Sequence, residues 1–370
     1  MTIAISGTTG ITLDGQFNSA SSMGFKNRIL NGGMVIDQRN AGASVTPASG
    51  AYTLDRWAVE MSQASKFSVQ RNAGSVTPPA GFTNYLGVTS LSAYTVGASE
   101  YFVIGQAIEG YNIADLAFGT ANAQTITLSF WVRSSLTGTF GGTVLNNGAS
   151  RNYVFSYTIN AANTWEQKTV TVAGDTTGTW LTTNGAGLFV RFSIGAGSSV
   201  TAAAGSWSGT TNRSVTGQTS VVGTNGATFY ITGVQLEKGS TATSFDYRPY
   251  GTELQLCQRY CFALISNGTN SSTFSGFWRV ATGKLVIPIS FPVVMRGDPT
   301  CSIPAGNNSW SVEDGLNPYT GTPTIERPTP YNVMVNIPIA SNPSFSSGYA
   351  TAAHMYASTG SVCLLASAEL

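Results

Sequence analysis

Charged side chains are scarce in this sequence. Of its 370 residues, 18 are Lys or Arg and 17 are Asp or Glu, so charged residues make up 9% of the chain and the formal net charge is +1. An ordinary soluble domain carries about 25% charged residues. Because there is no basic excess and no Lys/Arg run to neutralise phosphates, nucleic-acid binding is excluded as the main function.

Cysteines and long apolar runs are also few. Four cysteines in 370 residues do not make a disulfide scaffold. The longest apolar stretch, Leu285 to Met295, is too short to span a bilayer and contains Pro288 and Pro292, so we expect no membrane insertion. The first residues lack the basic and apolar segments of a signal peptide, which favours a soluble protein made in a reducing cytoplasm.

In place of charge, the sequence has glycine and uncharged polar residues that alternate with apolar ones. In the segment 125–133, Ile126, Leu128, Phe130 and Val132 fall on one face of a predicted strand. The segments 153–159, 188–194 and 229–236 repeat this period of two, and turn signals such as Asn225-Gly226 separate them. Many short half-buried strands predict a two-sheet jelly-roll sandwich over residues 26–248, with one short helical piece at 112–116.

The pattern changes near Tyr250. Thr252 and Gln255 fit a capping box at the start of a helix, and Leu254, Cys257 and Cys261 then form one apolar stripe. A helix of about ten residues is marginal alone, so the stripe packs either on its own chain or on copies of itself at a symmetry axis. We predict a linker helix over 249–261 whose stripe is the interface of a homotrimer.

The remaining residues predict one further domain and one arm. Residues 262–370 return to strands, at 274–280, 284–291, 331–337 and 361–366, and predict a second, smaller β-sandwich. The segment 307–330 is rich in Asn, Pro, Gly and Thr and is predicted to be a long loop, of the kind that is usually functional or disordered. Residues 1–25 cannot bury a core of their own and are interpreted as an arm that orders against a neighbour. The fold class is therefore all-β.

Loop aromatics are the candidate ligand-binding residues. A flat ring can cover the apolar face of a sugar while amides, carboxylates and hydroxyls bind its hydroxyl groups. Trp180, Trp207, Trp310 and Tyr319, together with Asp314, lie in Gly/Thr/Asn-rich segments and are the predicted ligand-binding set. The alternative for each ring is an anchor that fixes its loop.

Clustered charges have two possible uses. Arg28, Arg39, Asp55 and Arg56 could line a ligand cleft, but we expect partly buried Asp–Arg pairs that fix strand register. A structural calcium ion would find candidate oxygen ligands in Asp37, Asp55 and Glu237. No segment has metal-ligand spacing, so we predict neither a metal site nor a cofactor.

Catalytic groups are sparse. His354 is the only histidine, so a Ser-His or Cys-His system has a single candidate base. A pair of carboxylates for glycoside hydrolysis would have to come from acids such as Glu109, Asp115, Glu313 and Asp314, for which solvated side chains are the alternative interpretation. We expect no catalytic residues and no enzyme.

Several separated motifs resemble one known family. They occur in the order Asn27–Gly42, Tyr52–Trp57, Gln106–Asn112, Gly233–Gly239 and Phe245–Tyr260. Together they resemble a bacteriophage tail-fibre or virion-appendage domain, which is similar to a jelly-roll carbohydrate-binding module. The resemblance covers roughly residues 26–262. It implies a virion component that is assembled in the host cytoplasm, often as a trimer, and it does not identify a ligand.

These observations give one expected function and two alternatives. We expect a tail fibre or spike subunit that mediates adhesion to a host-surface glycan. In that subunit residues 1–25 contact other virion proteins and residues 262–370 form the distal tip. The first alternative is a purely architectural capsid-decoration or tail-collar protein without glycan binding. The second is a polysaccharide depolymerase.

Overall fold

A computed structural model describes most of the chain. It covers residues 25–265, 284–304, 323–338 and 362–370, together with the backbone of short strands at 3–6, 10–13, 273–274, 278–281, 310–313, 318–320 and 352–355. The chain forms two compact units. The first consists of Met1–Val35, Thr46–Ala51 and Val59–Tyr250, and the second of Ile36–Val45, Tyr52–Ala58 and Gly251–Leu370.

Two antiparallel sheets build the first unit, as predicted for a jelly roll. The seven-stranded sheet has the order Trp207–Ser208, Asn152–Ile159, Gly138–Asn146, Ala186–Ala196, Tyr101–Glu109, Trp57–Met61 and Tyr52–Leu54, of which Tyr52–Leu54 is counted with the second unit. The five-stranded sheet has the order Glu166–Val172, Ile126–Ser134, Thr228–Lys238, Leu86–Ser90 and Phe67–Arg71, and all its pairs are antiparallel.

Aromatic side chains join the two sheets in a common core. Phe130 of the five-stranded sheet lies edge-on to Phe192 and Tyr157 of the seven-stranded sheet, with ring centroids 4.9 and 5.0 Å apart. Phe140 and Phe229 stack across the same space at 6.1 Å. Because the inward residues of each strand meet in this layer, alternation along the sequence becomes a face-to-face sandwich.

The predicted periodic strands are confirmed. Ile126, Leu128, Phe130 and Val132 are all buried, and they lie in the strand Ile126–Ser134. The segments predicted at 153–159, 188–194 and 229–236 lie within Asn152–Ile159, Ala186–Ala196 and Thr228–Lys238. The piece predicted to be helical at 112–116 forms two 3₁₀ turns, Gly110–Asn112 and Ala114–Leu116.

Smaller elements complete the first unit. Thr201–Ala202 and Ser214–Val215 form a parallel pair, and further 3₁₀ turns lie at Ala73–Ser75 and Ser198–Val200. In the segment predicted to be an arm, Ile3–Ser6 pairs antiparallel with Gly10–Leu13; the role of this arm stays a prediction.

One helix and three sheets make up the second unit. The helix is Tyr250–Gln258. The three-stranded sheet has the order Cys261–Ile265, Val362–Ser367 and Thr300–Ser302. One four-stranded sheet has the order Thr273–Phe274, Ala352–Met355, Trp310–Glu313 and Pro318–Thr320. The other four-stranded sheet has the order Trp278–Ala281, Lys284–Ser290, Asn332–Pro338 and Thr324–Glu326. Side chains from several of these strands form one buried core: Leu285, Ile287, Ile289, Val333, Val335, Ile337, Cys363, Leu364 and Ala366.

Two details of the second unit correct the sequence predictions. Short strands at Trp310–Glu313, Pro318–Thr320 and Thr324–Glu326 divide the segment 307–330, which was predicted to be one long loop. The helix begins at Tyr250, two residues before Thr252. Thr252 therefore lies inside the first turn rather than capping it.

The apolar stripe of the linker helix packs on its own chain. Cys257 lies on the helix, whereas Cys261 is the first residue of the following strand. Both side chains are completely buried within the single chain, so neither is available to contact another copy. The interface predicted for these two cysteines is therefore corrected, and Leu254, which is half-buried, is the member of the stripe that reaches the surface.

No helix among the described residues is long and apolar enough to cross a membrane.

The division into units adds two segments to the predicted C-terminal domain. The boundary at Tyr250 agrees with the change of pattern in the sequence, but Ile36–Val45 and Tyr52–Ala58 belong to the second unit. Within that unit Tyr52–Leu54 pairs with the beginning of Trp57–Met61. The second unit is thus assembled from parts of the chain that are far apart in sequence.

Candidate functional site

Two of the predicted ligand-binding residues meet in one aromatic cluster of the first unit. Trp180 and Trp207 are perpendicular with ring centroids 5.5 Å apart. Phe118 packs edge-on against both, at 4.8 and 5.9 Å, and Tyr153 contacts Trp207 at 5.3 Å. The sequence identified the two tryptophans but gave no sign that they touch.

Both indole N–H groups of this cluster are already bound. Trp180 Nε1 donates to the Thr177 carbonyl at 3.2 Å, and Trp207 Nε1 donates to the Ala173 carbonyl at 2.7 Å. Trp180 is only 7% exposed, whereas Trp207 is half-buried. This geometry matches rings that anchor their loops, because their polar ends are occupied by backbone and one ring face is inside.

The other predicted ligand-binding residues lie in the second unit. Trp310 begins the strand Trp310–Glu313, and Tyr319 lies in the neighbouring strand Pro318–Thr320, opposite Val312. The side chains of Trp310 and Tyr319, and the whole of Asp314, lie outside the described residues. Their part in ligand binding stays a prediction.

A second aromatic cluster of the first unit faces solvent. Phe82, Phe245 and Tyr247 contact one another, with ring centroids 5.0 Å apart for Phe82 and Phe245, 5.6 Å for Phe82 and Tyr247, and 4.8 Å for Phe245 and Tyr247. We call these three residues the aromatic platform. Tyr247 is 59% exposed, and Phe82 and Phe245 are half-buried. The platform therefore presents one open ring that is supported from beneath by two others.

Glycines at two positions make room for the platform. Gly81 has φ +89, and a Cβ there would lie 2.6 Å from the Tyr247 hydroxyl oxygen, which donates to the Gly81 carbonyl at 2.8 Å. Gly233 has φ +60, and its Cβ would lie 2.6 Å from Phe82 Cζ. Because both conformations favour glycine and both sites are sterically closed, the backbone fixes where the rings stand.

The aromatic platform was not predicted as a site from the sequence. Phe245 and Tyr247 belong to the motif at the domain boundary, but they lie outside strands, where periodicity says nothing about contacts. Phe82 is 163 positions before Phe245 in the sequence. The available signal was the local density of aromatic residues in 245–250.

A buried ion network occupies the second unit. Glu369 pairs with Arg39 at 3.0 Å and also with Arg56. The guanidinium of Arg56, whose side chain is 1% exposed, lies 3.7 Å above the ring of Tyr260. Arg296 donates to the carbonyls of Ala368 and Glu369, both at 2.8 Å. The arginines thus hold the strand end at 367–370 in place.

The acid partner in this network differs from the predicted one. Asp–Arg pairs were expected around Asp55, but the carboxylate that joins Arg39 and Arg56 is Glu369. Asp55 accepts hydrogen bonds from the backbone N–H and the side-chain amide of Gln38, at 2.7 and 2.6 Å. Burial raises the pKa of Asp55 to about 6, although the Gln38 hydrogen bonds and Arg39 oppose this. Glu369 is thus the acid that pairs with both arginines, and the role of these charges in fixing strand register stays a prediction.

The carboxylates considered for calcium are engaged by hydrogen-bond donors. Asp37 accepts from the backbone N–H groups of Asn40 and Gly42, at 3.0 and 2.7 Å. Glu237 accepts from the Thr243 backbone N–H at 2.8 Å and from its hydroxyl at 2.7 Å. In the part of the chain that the structure describes, no three His, Cys, Asp or Glu side chains are grouped so as to hold a metal ion.

The acids considered for hydrolysis lie in dissimilar places. Asp115 is an exposed side chain that pairs with Arg28 at 2.7 Å, whereas Glu109 is buried at the end of a strand. Glu313 and His354 lie opposite Ala352 and Ser311 in one small sheet, and their side chains fall outside the described residues.

Comparison with known proteins gave matches to solved structures alone. No family model matches the chain, and no curated protein matches it. The enzymatically active domain of tailspike protein 4 of bacteriophage CBA120 is 12% identical with a TM-score of 0.31, over 58% of this chain and 22% of that chain.

Carbohydrate-binding modules are also among the matching structures. A CBM4 structure is 16% identical with a TM-score of 0.29, over 56% of this chain and 98% of that chain. A family 11 carbohydrate-binding module from Clostridium thermocellum, in complex with a mixed-linked tetrasaccharide, is 11% identical with a TM-score of 0.28, over 54% of this chain and 96% of that chain.

Proposed function

We propose that this protein is a non-enzymatic subunit of a bacteriophage tail fibre or spike that binds a glycan on the host surface. The observation that carries the glycan-binding part is the aromatic platform. Its outer ring, Tyr247, is open to solvent and held by two ring contacts and a hydrogen bond through its hydroxyl. The motifs of residues 26–262, which occur in the same order as in the phage tail-fibre domain that they resemble, support the proposal that the protein is a virion component.

A fixed, exposed ring suits sugar binding for two physical reasons. Its face covers the apolar C–H surface of a pyranose. Because its neighbours already fix its orientation, binding immobilises little additional side-chain freedom. The ring fixed by Phe82, Phe245 and the Gly81 carbonyl is therefore a better stacking surface than an isolated exposed tyrosine.

Assembly into a trimer would multiply a weak contact. Single sugar contacts are weak, and linking several binding sites in one particle raises the overall avidity by roughly 10²- to 10⁴-fold without any new contact. In this proposal residues 1–25 attach the subunit to other virion proteins and the subunit self-associates. Light scattering on the purified protein tests the trimer, and a monomer at micromolar concentration would contradict it.

Two matched tyrosine variants test the glycan-binding site. Tyr247→Ala removes the open ring of the platform, and Tyr111→Ala removes a tyrosine of the same unit with almost the same exposure, 61% against 59%. We expect Tyr247→Ala to weaken binding to extracted host polysaccharide about tenfold, which corresponds to roughly 1.4 kcal/mol of stacking. Tyr111→Ala should bind like the wild type in the same calorimetric titration.

The alternatives predict different results. If intact wild-type oligomer does not bind host cells or their polysaccharide, the glycan-binding proposal is wrong and the architectural alternative is favoured. Localising the subunit on the particle by electron microscopy then shows whether it belongs to a fibre or to the capsid. Sustained release of reducing ends from the polysaccharide would establish a depolymerase instead.

A further inference from the structure

Two arginines of the first unit share one carboxylate on the outer face of the seven-stranded sheet. Arg191 lies between the inward residues Val190 and Phe192 of its strand, so its side chain points away from the core. Its guanidinium pairs with Oε1 of Glu60. Nη1 of Arg213 lies 3.7 Å from the other oxygen, Oε2. One negative charge thus stands between two positive charges.

Each guanidinium also lies against an aromatic ring. Arg213 Cζ is 4.1 Å from the ring centroid of Tyr101, and Arg191 Cζ is 4.9 Å from that of Phe189. Stacking on a ring leaves the edge of a guanidinium, where all its N–H groups lie, free to meet an acceptor. The rings therefore support both cations without using their hydrogen-bonding capacity.

Hydrogen-bonding capacity at this cluster is unfilled. Nη1 of Arg213 is buried and has no hydrogen-bond partner among the described residues. The same is true of Oγ1 of Thr143, whose residue lies directly opposite Arg191 on the neighbouring strand. A guanidinium has five N–H donors. The donors of two guanidinium groups cannot all be satisfied by the single carboxylate of Glu60.

The positive charge is also only partly compensated. Burial lowers the pKa of Arg191 and the charge of Arg213 lowers it further, against the opposing effect of Glu60. Glu60 is 30% exposed and Arg213 14% exposed, so the cluster opens to solvent at these side chains. A second carboxylate arriving from solvent at the exposed part of the Arg213 side chain would supply the missing negative charge.

We propose that Arg191 and Arg213 bind the carboxylate of an acidic sugar, a residue of the uronic acid type, so that the glycan bound by this protein is anionic. This inference rests on the proposed glycan-binding function and names the class of its ligand. The carboxylate binds in the two-pronged manner that a guanidinium favours. Glu60 holds both arginines in position and competes with the ligand for them.

Polygalacturonate and its fully methyl-esterified form are the probes for this site, because they share one backbone and differ in charge. Calorimetry at fixed ionic strength measures binding of each to the full-length protein. We expect the wild type to bind the acid form at least about tenfold more tightly than the ester, the effect of one charge-assisted hydrogen-bonded pair. Arg213→Gln should reduce the affinity for the acid form to that for the ester.

Two further variants separate a ligand site from an internal ion pair. Glu60→Gln removes the competing carboxylate and should strengthen binding of polygalacturonate severalfold. Arg133→Gln is the matched control, because Arg133 also lies over a tyrosine ring of the same unit, at 5.5 Å from Tyr230, and should bind both probes like the wild type. Circular dichroism confirms that each variant is folded. If Arg213→Gln does not fold, the comparison of acid and ester binding by the wild type decides.

Each outcome decides the inference. Equal binding of acid and ester by the wild type overturns it, as does wild-type affinity for the acid form in folded Arg213→Gln. Equal binding of polyglutamate and polygalacturonate overturns the sugar part. If Tyr247→Ala still weakens binding of a neutral host glycan, the proposed function stands although this inference fails; if the wild type binds no glycan, the proposed function fails as well.

Discussion

Arg56 and Glu369 are 313 residues apart in the sequence and form an ion pair inside the second unit. Their side chains are 1% and 6% exposed. Arg56 also has φ +71, a conformation that non-glycine residues adopt rarely. The pair thus fixes a backbone turn near the beginning of the chain to a strand end near residue 369.

Removing the charge of Glu369 should destabilise the protein strongly. Glu369→Gln leaves Arg39 and Arg56 buried without their shared carboxylate, and breaking a buried pair in this way typically costs about 3–5 kcal/mol. Asp115→Asn is the control, because its pair with Arg28 is exposed and such pairs contribute about 0–1 kcal/mol. Urea unfolding of both variants measures the difference. Equal losses would mean that the buried network is not stabilising.

Asp55 should make stability depend on pH. Its pKa is about 6 in the folded protein against an ordinary 3.8, so the folded state binds more protons than the unfolded state between these values. Stability from this group is therefore complete below about pH 4 and is lost as the pH rises through 6, by roughly 3 kcal/mol. Asp55→Asn should remove this part of the pH dependence. Parallel unfolding curves for the variant and the wild type from pH 4 to 7 would contradict it.

Gly233 should tolerate alanine much less well than Gly226. Both have positive φ, +60 and +72, but a Cβ at Gly226 meets nothing within 4 Å, whereas at Gly233 it meets Phe82 at 2.6 Å. Gly226→Ala should cost only the left-handed backbone strain, about 1–2 kcal/mol. Gly233→Ala adds displacement of the Phe82 ring, so its melting temperature should fall further and the platform should bind glycan less well. The same melting temperature in both would argue that Phe82 moves freely.

Trp180 should prove important for stability rather than for ligand affinity. Its ring packs against Phe118 and Trp207 and its N–H is bound to backbone. Trp180→Ala should therefore cost about 3–5 kcal/mol, as for other large buried rings. The folded fraction should keep its affinity for host polysaccharide. A large loss of affinity without loss of stability would restore Trp180 as a ligand contact, as the sequence first suggested.

Local pattern predicted the sandwich but not the contacts that make its sites. Alternation identifies strands such as Ile126–Ser134, because the buried face repeats every second residue regardless of the partner strand. The pairing of Arg39 with Glu369 has no such signal, since it depends on how distant segments are brought together. The same holds for Tyr247, whose hydroxyl binds Gly81, 166 residues away. The linker helix was predicted from its pattern, but the burial of Cys257 and Cys261 within the chain was not, because an apolar face does not say what covers it.

The discontinuous second unit has a consequence for biosynthesis. Arg39 pairs with the carboxylate of Glu369, which follows it by 330 residues. At roughly 5–20 residues per second, a ribosome needs on the order of 20 seconds to one minute to synthesise the chain between them. Once residue 250 has been made, the first unit can close while two early segments of the second unit remain without their final neighbours. Ribosome-associated chains halted before residue 369 should therefore be cut by protease within 36–45 and 52–58, and released full-length chains should resist it.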